Sequence, residues 1–250
     1  MSDIAPILVL QHIGCEPPAA YEDELARRGL PLRRVLLHEG ETLPDWRRFA
    51  AIIAMGGPMG AYDDELHPWL AAEKELIARA VESGVPFWGV CLGAQLLAAS
   101  LGARVMPGEG PEVGVAPVSL TIEGAEDPVF SVAPATFDAL HWHGDTYELP
   151  RGASRLAASE RYDQQAFSYG GAYGLQFHLE VPASLAAGWL EVPAYAQALE
   201  QAHGEHAGPA LLTALRAAEP AATELARELF GRWLELVVGL GTSRAQTARA

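Results

Sequence analysis

Short apolar runs alternate with stretches of helical periodicity through the first hundred residues, and this constrains the chain more than any other feature. Pro6–Leu10 is apolar throughout, and a helical stretch, Tyr21–Arg28, follows the Pro17-Pro18 break. Arg34–Leu37 reads as the next strand. Ala50–Met55 reads as a fully buried strand ending in the Gly56-Gly57-Pro58 turn. Pro68–Ser83 has helical spacing and is closed by Gly84 as a C-cap, Val85–Val90 is again strand-like, and Gln95–Leu101 is a helix ended by Gly102. Strands that are apolar on both faces, separated by helices, predict an α/β fold: a mainly parallel central sheet covered by helices on both faces. In such sheets ligands collect at the carboxyl ends of the strands.

The pattern then changes. Between about residues 113 and 177 it shortens to alternating segments such as Val115–Ile122, which predict antiparallel strands added to the sheet. After Val181 the chain is alanine-rich, with helical spacing over Leu211–Leu215 and Thr223–Val238. With neither an internal repeat nor a low-complexity linker, residues 1–240 read as one domain with a helical C-terminal part over 183–240. The last ten residues, 241–250, read as a flexible tail.

Charge and cysteine content narrow the classes of function. Thirty-two acidic against seventeen basic residues give a formal charge of −15, which repels phosphate backbones and anionic lipid, so nucleic acid and membrane are not expected partners. No long apolar run or basic leader is evident, and the chain reads as cytoplasmic. The two cysteines, Cys15 and Cys91, are then not expected to form a disulfide. No Cys/His grouping has the short paired spacing of a structural zinc site, so neither metal nor cofactor is expected.

Chemistry concentrates in three segments. Gly89-Val90-Cys91-Leu92-Gly93 falls where a buried strand gives way to a helix, and a G-x-nucleophile-x-G turn there lifts the nucleophile clear of the sheet. At the amino end of a helix Cys91 would also be favoured as thiolate. Gly174–Val181 supplies a base: on an extended strand His178 and Glu180, two apart, share one face, so the carboxylate can fix the imidazole tautomer. Alone, an H-x-E pair reads first as a surface salt bridge; together with the cysteine turn it reads as a catalytic pair. Gly56-Gly57-Pro58 would arrive on the same sheet edge as Cys91, and the N–H groups of Gly57 and Leu92 are the candidate oxyanion hole.

Taken together, MGGPMGAYDD (55–64), PFWGVCLGAQLLA (86–98), HWHGDTYELP (141–150), QQAF (164–167) and GLQFHLEV (174–181) resemble the class I glutamine amidotransferases. They are most similar to stand-alone proteins related to the amidotransferase domain of GMP synthetase. The resemblance covers roughly residues 5–182 and implies a flavodoxin-like fold, with Cys91 as nucleophile, His178 as acid and base, and Glu180 orienting His178. It further implies substrate contacts from Gln95 and, through His143-Gly144-Asp145, from Asp145. Two positions depart from the family pattern: Leu179 stands where proline is usual, and Val115 follows Glu112-Val113-Gly114 where tryptophan is frequent.

Three functions follow. The first is hydrolysis of the γ-amide of glutamine, through a γ-glutamyl thioester, to glutamate and ammonia. Without a recognisable ATP-activating segment, that ammonia implies a synthetase partner. The second is γ-glutamyl peptidase or hydrolase activity on a small γ-glutamyl compound. The third is a non-catalytic binding or regulatory protein of the same fold, which has no chemical need for these three side chains.

Overall fold

The computed structural model describes residues 4–239, so the expected tail at 241–250 lies outside the described residues. Nine strands form one sheet: β1 (Ile7–Gln11), β2 (Leu32–Leu36), β3 (Ala51–Ala54), β4 (Phe87–Val90), β5 (Val105–Leu120), β6 (Thr136–Tyr147), β7 (Ser154–Ala158), β8 (Ala166–Tyr169) and β9 (Ala172–Leu175). Their order is β2-β1-β3-β4-β9-β8-β7-β5-β6. Pairings from β2 across to β9 are parallel, and those from β9 to β6 antiparallel. The sheet therefore has a parallel half and an antiparallel half. β5 and β6 are long, at sixteen and twelve residues, and a bulge between Pro107 and Glu112 interrupts their ladder.

Alternation along the parallel strands sorts side chains onto two faces. Ile7 and Val9 pack on one side with Trp88, Phe230 and Trp233, under α1 (Ala20–Arg27) and α7 (Gly208–Leu236). Leu8 and Leu10 pack on the other, with Phe87 and Leu96, under α2 (Trp69–Glu82) and α3 (Leu92–Ser100). Both faces are thus buried, which is why these strands read as continuous apolar runs. Gly84 and Gly102, expected to end α2 and α3, have φ of +81° and +84°, the left-handed conformation that glycine adopts without a Cβ penalty.

A third apolar cluster gathers Trp142, Trp189, Tyr195 and Leu211 where α5 (Ala183–Trp189) and α6 (Pro193–His203) cover the carboxyl end of the sheet. Between them and α2 lies the short helix α4 (Ile122–Glu126) in chain order, capped by the Thr121 hydroxyl. One expectation needs correction: Leu211–Leu215 and Thr223–Val238 are not separate helices but fall on one, α7, which is 29 residues long and ends at Leu236, two residues before Val238. Pro220 lies inside it. Its ring removes one backbone donor, but a long buried face, Leu211 to Leu234, keeps the helix continuous. No helix among the described residues is long and apolar enough to cross a membrane.

Candidate active site

Cys91 is the single residue between β4 and α3. Its φ of +52° and ψ of −108° are sparsely populated by non-glycine residues and cost about 1–3 kcal/mol. The surrounding packing holds it there: its N–H donates to the Leu175 carbonyl at 2.7 Å, and Gly93 N–H donates to the Met55 carbonyl at 3.1 Å. A Cβ on Gly89 would lie 2.5 Å from the Gly93 oxygen, and one on Gly93 only 2.1 Å from the Ala54 oxygen. The two glycines of the motif therefore let α3 approach β3 and β4 closely enough to present Cys91 at the strand end.

His178 and Glu180 do meet, though not as expected from an extended strand. The chain leaves the sheet after Leu175, and His178 makes one isolated antiparallel bridge to Leu140. Its Nδ1 lies 2.7 Å from Glu180 Oε1, with both side chains about 1% exposed. A carboxylate only accepts, so Nδ1 carries the proton and Nε2 keeps its lone pair beside Cys91, whose thiol is directed at the Trp142 carbonyl 3.9 Å away. Glu180 Oε2 accepts from the Leu179 N–H at 3.1 Å. The proline usual at that position would have no such donor.

Burial alone would lower the His178 pKa, but the Glu180 charge and the hydrogen bonds to Cys91 and Glu180 outweigh it and hold the imidazole well above its ordinary value. Cys91 is pulled both ways. Burial pushes the thiol up, while His178 and the Leu92 N–H pull it down, and burial prevails. The helix terminus expected to favour thiolate is thus opposed by desolvation of the buried sulfur.

An open pocket of about 320 Å³ reaches this point, lined among others by Gly57, Tyr62, Cys91, Gln95, Trp142 and Asp145. Two larger grooves, of about 1020 and 1060 Å³, lie away from Cys91, so size alone would misplace the site. The expected residues occupy distinct places: Gly57, Cys91, Gln95 and Asp145 face the pocket, while His178 and Glu180 lie behind Cys91. Leu92, the first residue of α3, directly follows Cys91. Asp145 is raised first by burial, then by Asp63, against a hydrogen bond from Tyr62.

Several neighbours were not legible in the sequence. Gln176 donates to Cys91 Sγ at 3.6 Å and accepts from Gln95 Nε2 at 3.1 Å, so it links the sulfur to the expected substrate contact. Glu16 is buried beside His178 and hydrogen-bonded by the Tyr195 hydroxyl; desolvation raises its pKa despite both. His12 donates to the Gly56 carbonyl at 3.1 Å and to Glu73 at 2.9 Å, anchoring the turn that carries Gly57. Only Gln176, inside a quoted motif, had a local signal. The fold also brings together Glu112, His141 and His143, donors of the kind that hold metals, which sequence spacing did not suggest.

A cysteine at a strained strand-to-helix turn backed by a buried histidine–glutamate pair, on the parallel half of the sheet, is an arrangement suited to nucleophilic chemistry. Residues 22–188, more than half of the chain, match the family model of class I glutamine amidotransferases, and the chain belongs to that family. Among relatives, YfeJ, a glutamine amidotransferase-like protein of Salmonella typhimurium, is 33% identical over 174 residues, covering 68% of this chain and 73% of that protein. A glutamine-hydrolysing GMP synthase of Thermomicrobium roseum is 39% identical over 131 residues, 52% of this chain but only 23% of the synthase. A crystal structure of a glutamine amidotransferase from Thermotoga maritima superposes with a TM-score of 0.83 at 34% identity, covering 92% of this chain and 98% of that one. The expected enzyme class and fold are both borne out.

Proposed function

We propose that the chain hydrolyses the γ-amide of glutamine through Cys91, His178 and Glu180. The observation that carries this reading is the 2.7 Å contact between His178 Nδ1 and Glu180 Oε1, directly behind a strained, pocket-facing Cys91. Cys91 Sγ loses its proton to His178 and attacks the γ-carbonyl carbon. The oxygen that gains charge is met by the N–H groups of Gly57 and Leu92. The imidazolium, held charged by Glu180, returns its proton to the departing nitrogen, and the C–N bond breaks to give ammonia and a γ-glutamyl thioester on Cys91. Water, deprotonated by the now neutral His178, attacks the thioester; glutamate leaves and the thiol reforms.

Gln95 and Asp145 line the same pocket as Cys91 and are assigned to substrate binding, Asp145 at the α-amino group. In this reading residues 1–240 act as one domain, and the ammonia passes to a separate synthetase partner. The T. roseum relative supports that division, because the region it shares with this chain is under a quarter of its length.

Product analysis on wild type and Cys91→Ala tests the assignment, offering glutamine and a panel of γ-glutamyl peptides while following glutamate, ammonia and amine. Glutamate and ammonia in equal amounts from glutamine, abolished in Cys91→Ala, are expected. Turnover of the peptides well above glutamine would instead make the chain a γ-glutamyl hydrolase with the same triad.

A further inference from the structure

Beside the pocket, on the outer strands, Glu112 and His143 stand directly opposite each other in the β5–β6 ladder, and His141 pairs with Gly114 two residues along. Residues two apart share a face, so all three side chains project to one side. The bulge ending at Glu112 sets this register. His143 Nε2 lies 3.0 Å, and His141 Nδ1 3.2 Å, from the same oxygen, Glu112 Oε2. The amide tip of Gln165 closes a further side, 2.6 Å from that oxygen and 3.4 Å from His143 Nε2.

Hydrogen bonding alone leaves this cluster incompletely satisfied. His141 is fully buried; its Nδ1 lies 3.2 Å from Glu112 Oε2 without good hydrogen-bond geometry, and its Nε2 has no partner among the described residues. His143 Nδ1 lies 2.9 Å from the Asp145 carbonyl oxygen, which only accepts, so Nδ1 carries the proton. Nε2 is hydrogen-bonded to Glu112 Oε2 at 3.0 Å, another acceptor, so a cation entering there takes the place of the proton between the two. A ligating histidine is oriented in the same way, by a carbonyl on its other nitrogen.

We propose that Glu112, His141 and His143 bind a divalent transition-metal cation of the zinc type. Ligand atoms of a tetrahedral zinc site, each about 2.0–2.1 Å from the metal, are roughly 3.3 Å apart, and the two nitrogen–oxygen separations here are 3.0 and 3.2 Å. Two imidazole nitrogens and a carboxylate suit such an ion better than magnesium or calcium, which take oxygen ligands. Water or the Gln165 amide, whose oxygen and nitrogen exchange on a flip, supplies the fourth position. Access is through the groove of about 1060 Å³ that Glu112 lines, where Glu109 and Glu160 outnumber the one arginine, Arg161. The ion would fasten β5 to β6 immediately before Asp145 and so fix one wall of the pocket, without taking part in the chemistry at Cys91.

The test uses the full chain, stripped with chelator, dialysed and titrated with Co²⁺. One equivalent bound, with the visible absorption of a low-symmetry cobalt site and displaced by Zn²⁺, is expected. Cys91→Ala should retain it, because the thiol is not a ligand; Glu112→Gln and His141→Ala should lose it. Since a ligand variant can misfold, imidazole ¹⁵N shifts of the wild type give a second reading, with two histidines expected to respond to Zn²⁺. No uptake by the wild type, loss of uptake in Cys91→Ala, or a doubly protonated His143 indifferent to Zn²⁺ would overturn the proposal.

Discussion

Replacing Glu180 with glutamine keeps the shape of the side chain while removing the charge that faces His178. At 2.7 Å, and with an effective dielectric of about 20, the attraction between imidazolium and carboxylate is roughly 6 kcal/mol. Glutamine restores a neutral hydrogen bond of about 1 kcal/mol, and burying an amide costs less than burying a carboxylate. The net loss should therefore fall near the lower part of the range of about 3–5 kcal/mol found when a buried pair loses one partner. If about 3–4 kcal/mol of this is felt where the imidazolium must form, kcat/KM falls by about 10²–10³. Steady-state glutamate release, with a circular-dichroism melt to show that the variant is folded, measures it. A folded Glu180→Gln enzyme within about threefold of wild type would refute the reasoning, because the pair would then be structural only.

Three further outcomes follow from the geometry. Gly93→Ala should lower stability by about 1–3 kcal/mol or more, because its Cβ would press on the backbone oxygen of Ala54; an unchanged Tm would contradict the close approach of α3. Leu179→Pro removes one donor to Glu180 and should cost about 1 kcal/mol, less than a tenfold loss of activity, in kinetic assays; complete inactivation would mean that the N–H is essential. Alkylation of Cys91 in substrate-free protein should accelerate with an inflection above the ordinary thiol value of 9.0, since burial raises it. His178→Ala should move that inflection further up, because it removes a group that stabilises the thiolate; a rate already level through the neutral range would contradict both statements.

How much of this was legible in the sequence depended on how local the cause was. The parallel half of the sheet was readable because both faces are buried and its helices end on Gly84 and Gly102, so each element announces itself. Cys91 was readable for the same reason, since the two glycines that permit the turn flank it. The positions of His178 and Glu180 were found, but not their backbone, because the irregular turn after Leu175 is set by a bridge to Leu140, 38 residues away in sequence. Pro220 concealed the continuity of α7, whose long buried face overrides one missing hydrogen bond. Glu16, His12 and the Glu112–His141–His143 cluster were illegible: their neighbours come from strand register and helix packing, which no local spacing encodes. Val115 shows why one family departure is tolerated, since it packs among the partly buried residues around Trp142 and Trp189.

The most direct test of the central assignment is to treat the protein with a glutamine analogue bearing an electrophile at the γ position and locate the adduct by peptide mass spectrometry. One equivalent on Cys91, blocked by glutamine and greatly slowed in His178→Ala, is the expected result. An adduct on Cys15, the other cysteine of the chain, or none on Cys91 in folded protein, would contradict it.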